Sequence, residues 1–544
     1  MQKTLSAKQV LDLYPPHRDT IPSLLASRAE RSPDRPVLLF EGRTWTYAQF
    51  QTASDDLAVA LSAQGVAKGD RVASVSANSD VILLLFIAVA KIGAVFVPVN
   101  PDLTDEELQY VLGHCKPRAI CCRGADHGRI AAIMAGYGRS AILLALEEMG
   151  STLRTVPEVM TQLARLADDG TSRSWDKPGP KDPVVVIYTS GTTGFPKGVV
   201  HSHMNYVWAA EAFVERMHLQ PDDRLMTVLP FFHINALFYS FGGALAAGAG
   251  LVATSRFSAS TMWKLAAETG ATQLNILAAV GNILAKRSRA EFVSDHKITK
   301  IYGGPISAEM FRVFQQEFHV PTLIEGYGMS EIPGACNNPF EGPHKVGSIG
   351  KPARHPRFGD AFVEMQVVDD DGKSLPVGEV GELLVKTPIV TIGYLDDPDQ
   401  TSAAIQDGWF HTGDLVRRDA DGYFFFVARK RDIIRRRGEN ISGAELDRVL
   451  SEHPKVMEAA TIGVPAELGD EEIMAVLTAR SDPPPSPQEI IDWCSGRLAA
   501  MKCPRYIVFV DTLPHTSSHR VAKFRLKQDS SLLAKAFDRE RNAV

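Results

Sequence analysis

Residues 184 to 203 read "VVVIYTSGTTGFPKGVVHSH", and this stretch decides the fold. The apolar run Val184–Tyr188 has the length and β-branched content of a buried strand. It leads straight into Thr189, Ser190, Gly191, Thr192, Thr193 and Gly194, with Lys197 and Gly198 just beyond. Glycines let successive backbone N–H groups turn toward one point, hydroxyls add donors, and a lysine adds charge. Together they make a phosphate cradle at the end of a strand. It is not a Walker A loop, because G-x-x-x-x-G-K-S/T has no match here. A glycine-rich turn closed by hydroxyl–backbone bonds is the plain alternative.

Working outward, short apolar runs at Arg71–Ser76, Ala94–Val99, Leu225–Leu229 and Lys300–Tyr302 alternate with helical patterns, which predicts α/β layers. "GTSRSWDKPGPKDP" (170–183) is rich in turn formers and reads as a connector. From about 343 to 427 the helical period fades into alternating segments with Asp-Gly and Val-Gly turns, a compact β unit. The last hundred or so residues read as a separate α+β domain. Ser442 and Glu445 predict a capping box for a helix whose buried face is Leu446, Val449 and Leu450. Ser486, Pro487 and Glu489 start another helix, and strands are predicted at Met457–Val464, Ile473–Ala479 and Tyr506–Val510.

A chain of 544 residues exceeds one ordinary core, so two or more domains are expected. Its 45% hydrophobic and 22% charged composition is that of a globular protein, and a net charge of −6 offers no general attraction to nucleic acid or anionic membrane. Six cysteines without C-x-x-C spacing predict reduced thiols and a cytoplasmic setting. The N-terminus lacks an apolar signal core, and the lipid-like run Val81–Ala90 is too short to span a bilayer and reads as a buried helix leading into a buried strand. No integral membrane association is expected, and a homodimer is compatible with the sequence.

Further motifs carry chemistry. In "GYGMSE" (326–331), Tyr327 offers a flat face, Ser330 a hydroxyl and Glu331 a hard oxygen ligand for Mg²⁺. Asp414 in "HTGDL" is an acceptor for paired hydroxyls, or a simple turn residue. His233 in "PFFHINAL" is a pocket group or a packed core histidine. "RKRDIIRRRGENIS" (429–442) places six basic residues in the nine from Arg429 to Arg437. Taken alone the run reads as a nucleic-acid patch or a solvated face, and a cluster of arginines such as Arg435 and Arg436 is also suited to hold a phosphate.

The glycine-rich stretch, "PFFHINAL", "GYGMSE" and "RKRDIIRRRGENIS", taken with "GWFHTGDL" (408–415) and "LPHTSSHRVAKFRLK" (513–527), make six segments that resemble in order and spacing the motifs of the acyl-adenylate-forming superfamily. The resemblance spans nearly the whole chain and is most like the acyl-CoA synthetase branch, with the C-terminal half most like crotonobetaine/carnitine–CoA ligases. It implies an acyl-CoA synthetase-like α/β fold. A large N-terminal domain (1–430) of layered α/β subdomains with a small β-barrel-like unit precedes a small mobile α+β domain (431–544), hinged near Arg431. It implies ATP, Mg²⁺ and coenzyme A as reactants and cofactors, and a small carboxylic acid as substrate. By resemblance, Thr189 to Gly194 and Lys197 bind phosphate, and Gly303, Gly304, Tyr327, Gly328, Met329 and Ser330 bind the nucleotide. Glu331 holds the metal, Asp414 and Arg429 meet the ribose, and Gly438, Glu439 and Asn440 line the pantetheine channel. The acid pocket is assigned to His233, Asn235, Ala278, Ala279, Gly304 and Met329.

The last motif departs from the pattern P-K/R-T-x-x-G-K-x-x-R. Counted from Pro514, Arg520 stands where the adenylating lysine belongs and Lys523 where the trailing arginine belongs. Either cation is a candidate for the adenylation step. Three functions are therefore in view: acid–coenzyme A ligation, delivery of the acyl group to a carrier protein, and a nucleotide-binding protein without catalysis.

Overall fold

The computed structural model describes residues 4–138, 140–167, 176–189, 196–436, 439–466, 471–480, 483–515 and 521–541; of 431, 439 and 440 only the backbone is described. The chain forms two compact units. The first contains Met1–Thr189, Pro196–Met365 and Val385–Phe410, and the second Gln366–Leu384 and His411–Val544.

In the first unit, two sheets share the work. One has the strand order Gly393–Tyr394, Lys197–Ser202, Pro183–Thr189, Val95–Val99, Arg71–Val75, Ala119–Cys122, Ile142–Ala145. Its last five strands are parallel, and Pro183–Thr189 turns back antiparallel onto Lys197–Ser202. The run "VVVIYT" is thus a fully committed strand, because β-branched side chains buried on both faces suit a covered parallel sheet. The other sheet has nine strands, six of them in a continuous parallel block from Pro36–Phe40 to Thr322–Met329.

The lipid-like run forms the helix Asp80–Lys91, with every residue buried. A helix apolar all round belongs in a core, and Phe86 there meets Phe96, Tyr206 and Phe241. No helix among the described residues is long and apolar enough to cross a membrane. The same helix opens on a buried charge. Asp80, 0% exposed, accepts from Arg43 Nη2 at 2.6 Å and Trp45 Nε1 at 2.8 Å.

In the second unit, Val456–Pro465, Glu471–Ala479, Tyr506–Phe509 and Phe537–Asp538 form a four-stranded sheet. The helix Gly443–Ser451 buries Leu446, Val449 and Leu450, the face predicted from periodicity. Its capping box is only half made: Ser442 accepts from the Glu445 N–H, but the Glu445 carboxylate binds Lys502 Nζ at 2.7 Å instead of turning back. The box at Ser486 and Glu489 closes in both directions.

The Asp80 site makes a direct prediction. Arg43→Met leaves a buried carboxylate without its cation and should cost about 3–5 kcal/mol, whereas Arg43→Met with Asp80→Leu should recover most of it. Thermal unfolding of the two variants checks this; equal melting points for them would contradict it.

Candidate active site

The expected pocket residues follow the carboxyl ends of four neighbouring parallel strands. Arg224–Thr227 leads toward His233 and Asn235, Gln273–Asn275 to Ala278 and Ala279, Lys300–Gly303 to Gly304, and Thr322–Met329 carries Tyr327, Gly328 and Met329. Open parallel sheets bind ligands at this edge, where the chain fans out into loops. Glycine is required here by close approach. A Cβ on Gly303 would stand 2.9 Å from the Ile276 carbonyl oxygen, and one on Gly304 would stand 2.6 Å from that of Gly326.

Ser330 and Glu331 form the turn between Thr322–Met329 and Ile332–Asn337, with Met329 opposite Ile332. Hydrogen bonds from outside the turn hold it. His201 Nε2 donates to the Ser330 carbonyl at 2.6 Å, the Thr391 N–H donates to the Glu331 carbonyl at 2.7 Å, and the Tyr394 hydroxyl donates to the Glu331 carboxylate at 2.9 Å. Burial lowers the His201 pKa to about 4, so its ring is neutral, and Asn205 Nδ2 lies 3.3 Å from its other nitrogen. That contact selects the tautomer with the proton on Nε2.

Lys197 faces Thr189 across the hairpin mouth, and its Nζ lies 5.4 Å from the centre of the Tyr394 ring. The ring of Tyr394 therefore lies between the Lys197 ammonium, at the root of the glycine-rich segment, and the Glu331 carboxylate. Ser190, Gly191, Thr192, Thr193 and Gly194, the loop itself, lie outside the described residues.

His233 is half-buried beside Phe232, with ring centres 4.7 Å apart, and its carbonyl accepts from the Leu237 N–H. The π-helix Asn235–Gly242 begins here. Such wide turns are rare and frequent at functional sites. A buried polar chain supports it: Gln273 Nε2 donates to Asn275 Oδ1 at 2.5 Å, and Asn275 Nδ2 donates to Ser240 Oγ at 2.7 Å. Glu325, 3% exposed and paired in register with Gly303, accepts from the Ile306 N–H at 3.2 Å. Burial pushes its carboxyl up to about 7.

In the second unit, Asp414 lies opposite Arg429, with Nε 3.5 Å from Oδ1. Arg431 belongs to a short turn, Lys430–Asp432. Glu439 and Asn440 pair with Arg436 and Arg435 in a two-stranded ribbon, while Gly438 lies outside the described residues. The phosphate-binding expectation for Arg436 is corrected. Its side chain is buried, with Nε 2.7 Å from Glu472 and Nη1 donating to the carbonyls of Met501 and Cys503, so it is a strut of the core. Arg435 is exposed. Arg520 lies outside the described residues, whereas Lys523 Nζ is 2.5 Å from Asp447, which also accepts from the Thr461 N–H.

Comparison with known proteins agrees with this geometry. Residues 25–395 match the AMP-binding enzyme model, and residues 445–520 match the AMP-binding enzyme C-terminal domain. The chain belongs to the AMP-binding enzyme family. Among relatives of this AMP-binding enzyme, the sulfoacetate–CoA ligase of Cupriavidus necator is 32% identical, covering 93% of this chain and 97% of its own. The crotonobetaine/carnitine–CoA ligase of Salmonella paratyphi B is 29% identical, covering 91% and 96%. The crystal structure of ATP-bound MatB from Rhodopseudomonas palustris superposes with a TM-score of 0.80 at 28% identity, covering 93% and 98%. The fold is that of the acyl-CoA synthetase-like enzymes, α/β in a large N-terminal domain with a smaller C-terminal one.

Sequence reading missed His201, Thr391, Tyr394 and the Gln273–Asn275–Ser240 chain. His201 stood inside the quoted stretch, but its task is set by a partner 129 positions away. Gln273 and Asn275 left a faint signal, as amides in a short buried strand.

The Glu325 carboxyl gives a pH prediction. The folded protein holds its proton up to about pH 7, while the unfolded chain releases it near the ordinary 4.5. Its contribution to stability is therefore present at low pH and is lost as pH rises toward and past 7. Glu325→Gln should raise the melting temperature relative to wild type at pH 8 more than at pH 5; an equal difference at both would contradict the assignment.

Proposed function

We propose that this AMP-binding enzyme is an ATP-dependent, AMP-forming acid–coenzyme A ligase. A carboxylate oxygen attacks the α-phosphorus of ATP, the bond to pyrophosphate breaks, and an acyl-adenylate forms. The thiol of coenzyme A then attacks the acyl carbon, and AMP leaves with the oxygen that came from the acid. The observation that carries this reading is the assembly of Lys197, Tyr394 and Glu331 at the root of the glycine-rich loop.

Each residue has a defined task. Lys197 supplies positive charge beside the phosphate loop, and Ser330 adds a hydroxyl. Tyr394 orients the Glu331 carboxylate, a hard oxygen donor fit for Mg²⁺. Mg²⁺ held there would neutralise phosphate charge as the α-phosphorus is attacked. Asp414 and Arg429 take the ribose, and Tyr327 with Gly303, Gly304, Gly328 and Met329 the rest of the nucleoside. His233, Asn235, Ala278 and Ala279 border the acid. Gly438, Glu439 and Asn440 line the thiol's approach, with the small domain turning about Arg431 between half-reactions. We assign the adenylating cation to Arg520. The support is indirect: Lys523 is committed to Asp447, a carboxylate that burial makes harder to ionise and that needs this partner. The six cysteines are buried and unpaired, in keeping with a cytoplasmic protein.

The relatives named for sulfoacetate and for crotonobetaine or carnitine point to small polar acids, so a substrate panel should begin there and extend to short, medium-chain and aromatic acids. The expected result is acid-dependent release of AMP and pyrophosphate with formation of an acyl-CoA; ADP formation, or thiol-independent AMP release alone, would contradict the ligase. Arg520→Ala should lower adenylation about 10²–10³-fold while hardly changing thiol transfer from a synthetic acyl-adenylate. Lys523→Ala should mainly lower the melting temperature. The reverse pattern would reassign the cation.

A further inference from the structure

A cavity of about 220 Å³ opens on one face of the first sheet, away from the strand ends that carry the nucleotide motifs. Its wall crosses the sheet through Val95, Val186 and Val200, three neighbouring strands, and is continued by Leu395. Val186 and Val200 face one another in register, and Arg71 pairs in register with Val95. The wall is therefore apolar, with a guanidinium at one end.

Arg71 is the anomaly. It is half-buried, its Nε is shielded from water without a hydrogen-bond partner, and it forms no ion pair among the described residues. The shielded Nε is itself out of a ligand's reach, but the rest of the guanidinium, a group shaped to fork onto a carboxylate, has no acceptor among the described residues and borders the cavity. Lys68 at the rim is paired with Asp182 at 2.8 Å. The nearby Asp396 is paired with Lys116 at 3.5 Å. The charged lining, Arg71, Lys68 and Asp182, thus carries one net positive charge. Gly93, at φ +70°, leaves room for the stem of Lys68, since a Cβ there would stand 3.0 Å from Lys68 Cγ.

Size narrows the occupant. The space is several times the roughly 30 Å³ of one water and below the roughly 300 Å³ at which drug-sized pockets begin. We propose that this cavity is a second small-acid site, which takes a monocarboxylate with a compact apolar body, its carboxylate on Arg71 and its body against Val186, Val200 and Leu395. The site shares its floor with the hairpin that carries the phosphate loop. Two residues beyond Val186, Tyr188 binds His114 Nδ1 at 2.7 Å, and Thr189 follows. An acid bound here would bear on the root of that loop without entering the active site.

The probe is 4-iodobenzoate, soaked into crystals of the full-length protein and titrated in solution. The expected result is an anomalous iodine peak within the cavity and a carboxylate on Arg71. Arg71→Gln should lose that peak and weaken the corresponding solution affinity at least tenfold. Iodine only at the carboxyl-end pocket, or an unchanged cavity peak in Arg71→Gln, would overturn the proposal. Pyrophosphate release by Arg71→Gln, measured alongside, reports separately on the ligase: it should persist at saturating substrate whether or not the cavity binds the probe.

Discussion

Fixing the Ser330–Glu331 turn is the constraint on which the active site depends. A carboxylate at the tip of a two-residue turn would ordinarily sweep a wide arc in solvent. Here its backbone is tied by His201 and Thr391, and its side chain by Tyr394. All three tethers lead back to the first sheet: His201 lies in the return strand of the phosphate-loop hairpin, Tyr394 in the strand beside it, and the Thr391 hydroxyl bonds the Val200 carbonyl. The carboxylate proposed to hold the metal is thereby built on the same frame as the strands that flank the glycine-rich segment. Preorganisation of this kind matters because catalysis of phosphoryl and nucleotidyl transfer is largely positioning and charge neutralisation.

The second unit obeys a different economy. Its basic run looks uniform in sequence, but the fold divides it. Arg436 is consumed by Glu472 and two carbonyls, Lys430 by Glu382 and Asp370, and Arg429 leans toward Asp414, while Arg435 stays exposed. Lys523 is likewise paired with a half-buried carboxylate, Asp447. A cation serving a moving phosphate is poorly suited to be at the same time the counter-ion of a half-buried aspartate, since leaving it strips that carboxylate of its partner. The Lys523–Asp447 pair is the support for proposing Arg520, rather than Lys523, as the adenylating cation.

Much of this was legible in the sequence, for local reasons. The strand at 184–188, the buried helix at 80–91 and the helix starts at Ser442 and Ser486 rest on period and neighbouring residues and form where expected, although only the Ser486 capping box closes in both directions. The family motifs were readable because they are contiguous. What could not be read was partnership at long range: His201 with Ser330, Tyr394 with Glu331, Asn275 with Ser240, and Arg436 with Glu472. Nothing in the spacing of those residues says which of them is buried, and burial decides whether an arginine is a strut or a ligand.

The acyl-adenylate route has one signature that no other ATP-dependent activation shares. With a carboxylic acid labelled with ¹⁸O in both carboxylate oxygens, one labelled oxygen should appear in the phosphate of AMP after a single turnover with coenzyme A, and none in pyrophosphate. Label in inorganic phosphate or pyrophosphate, or unlabelled AMP, would contradict attack at the α-phosphorus and with it the proposed function.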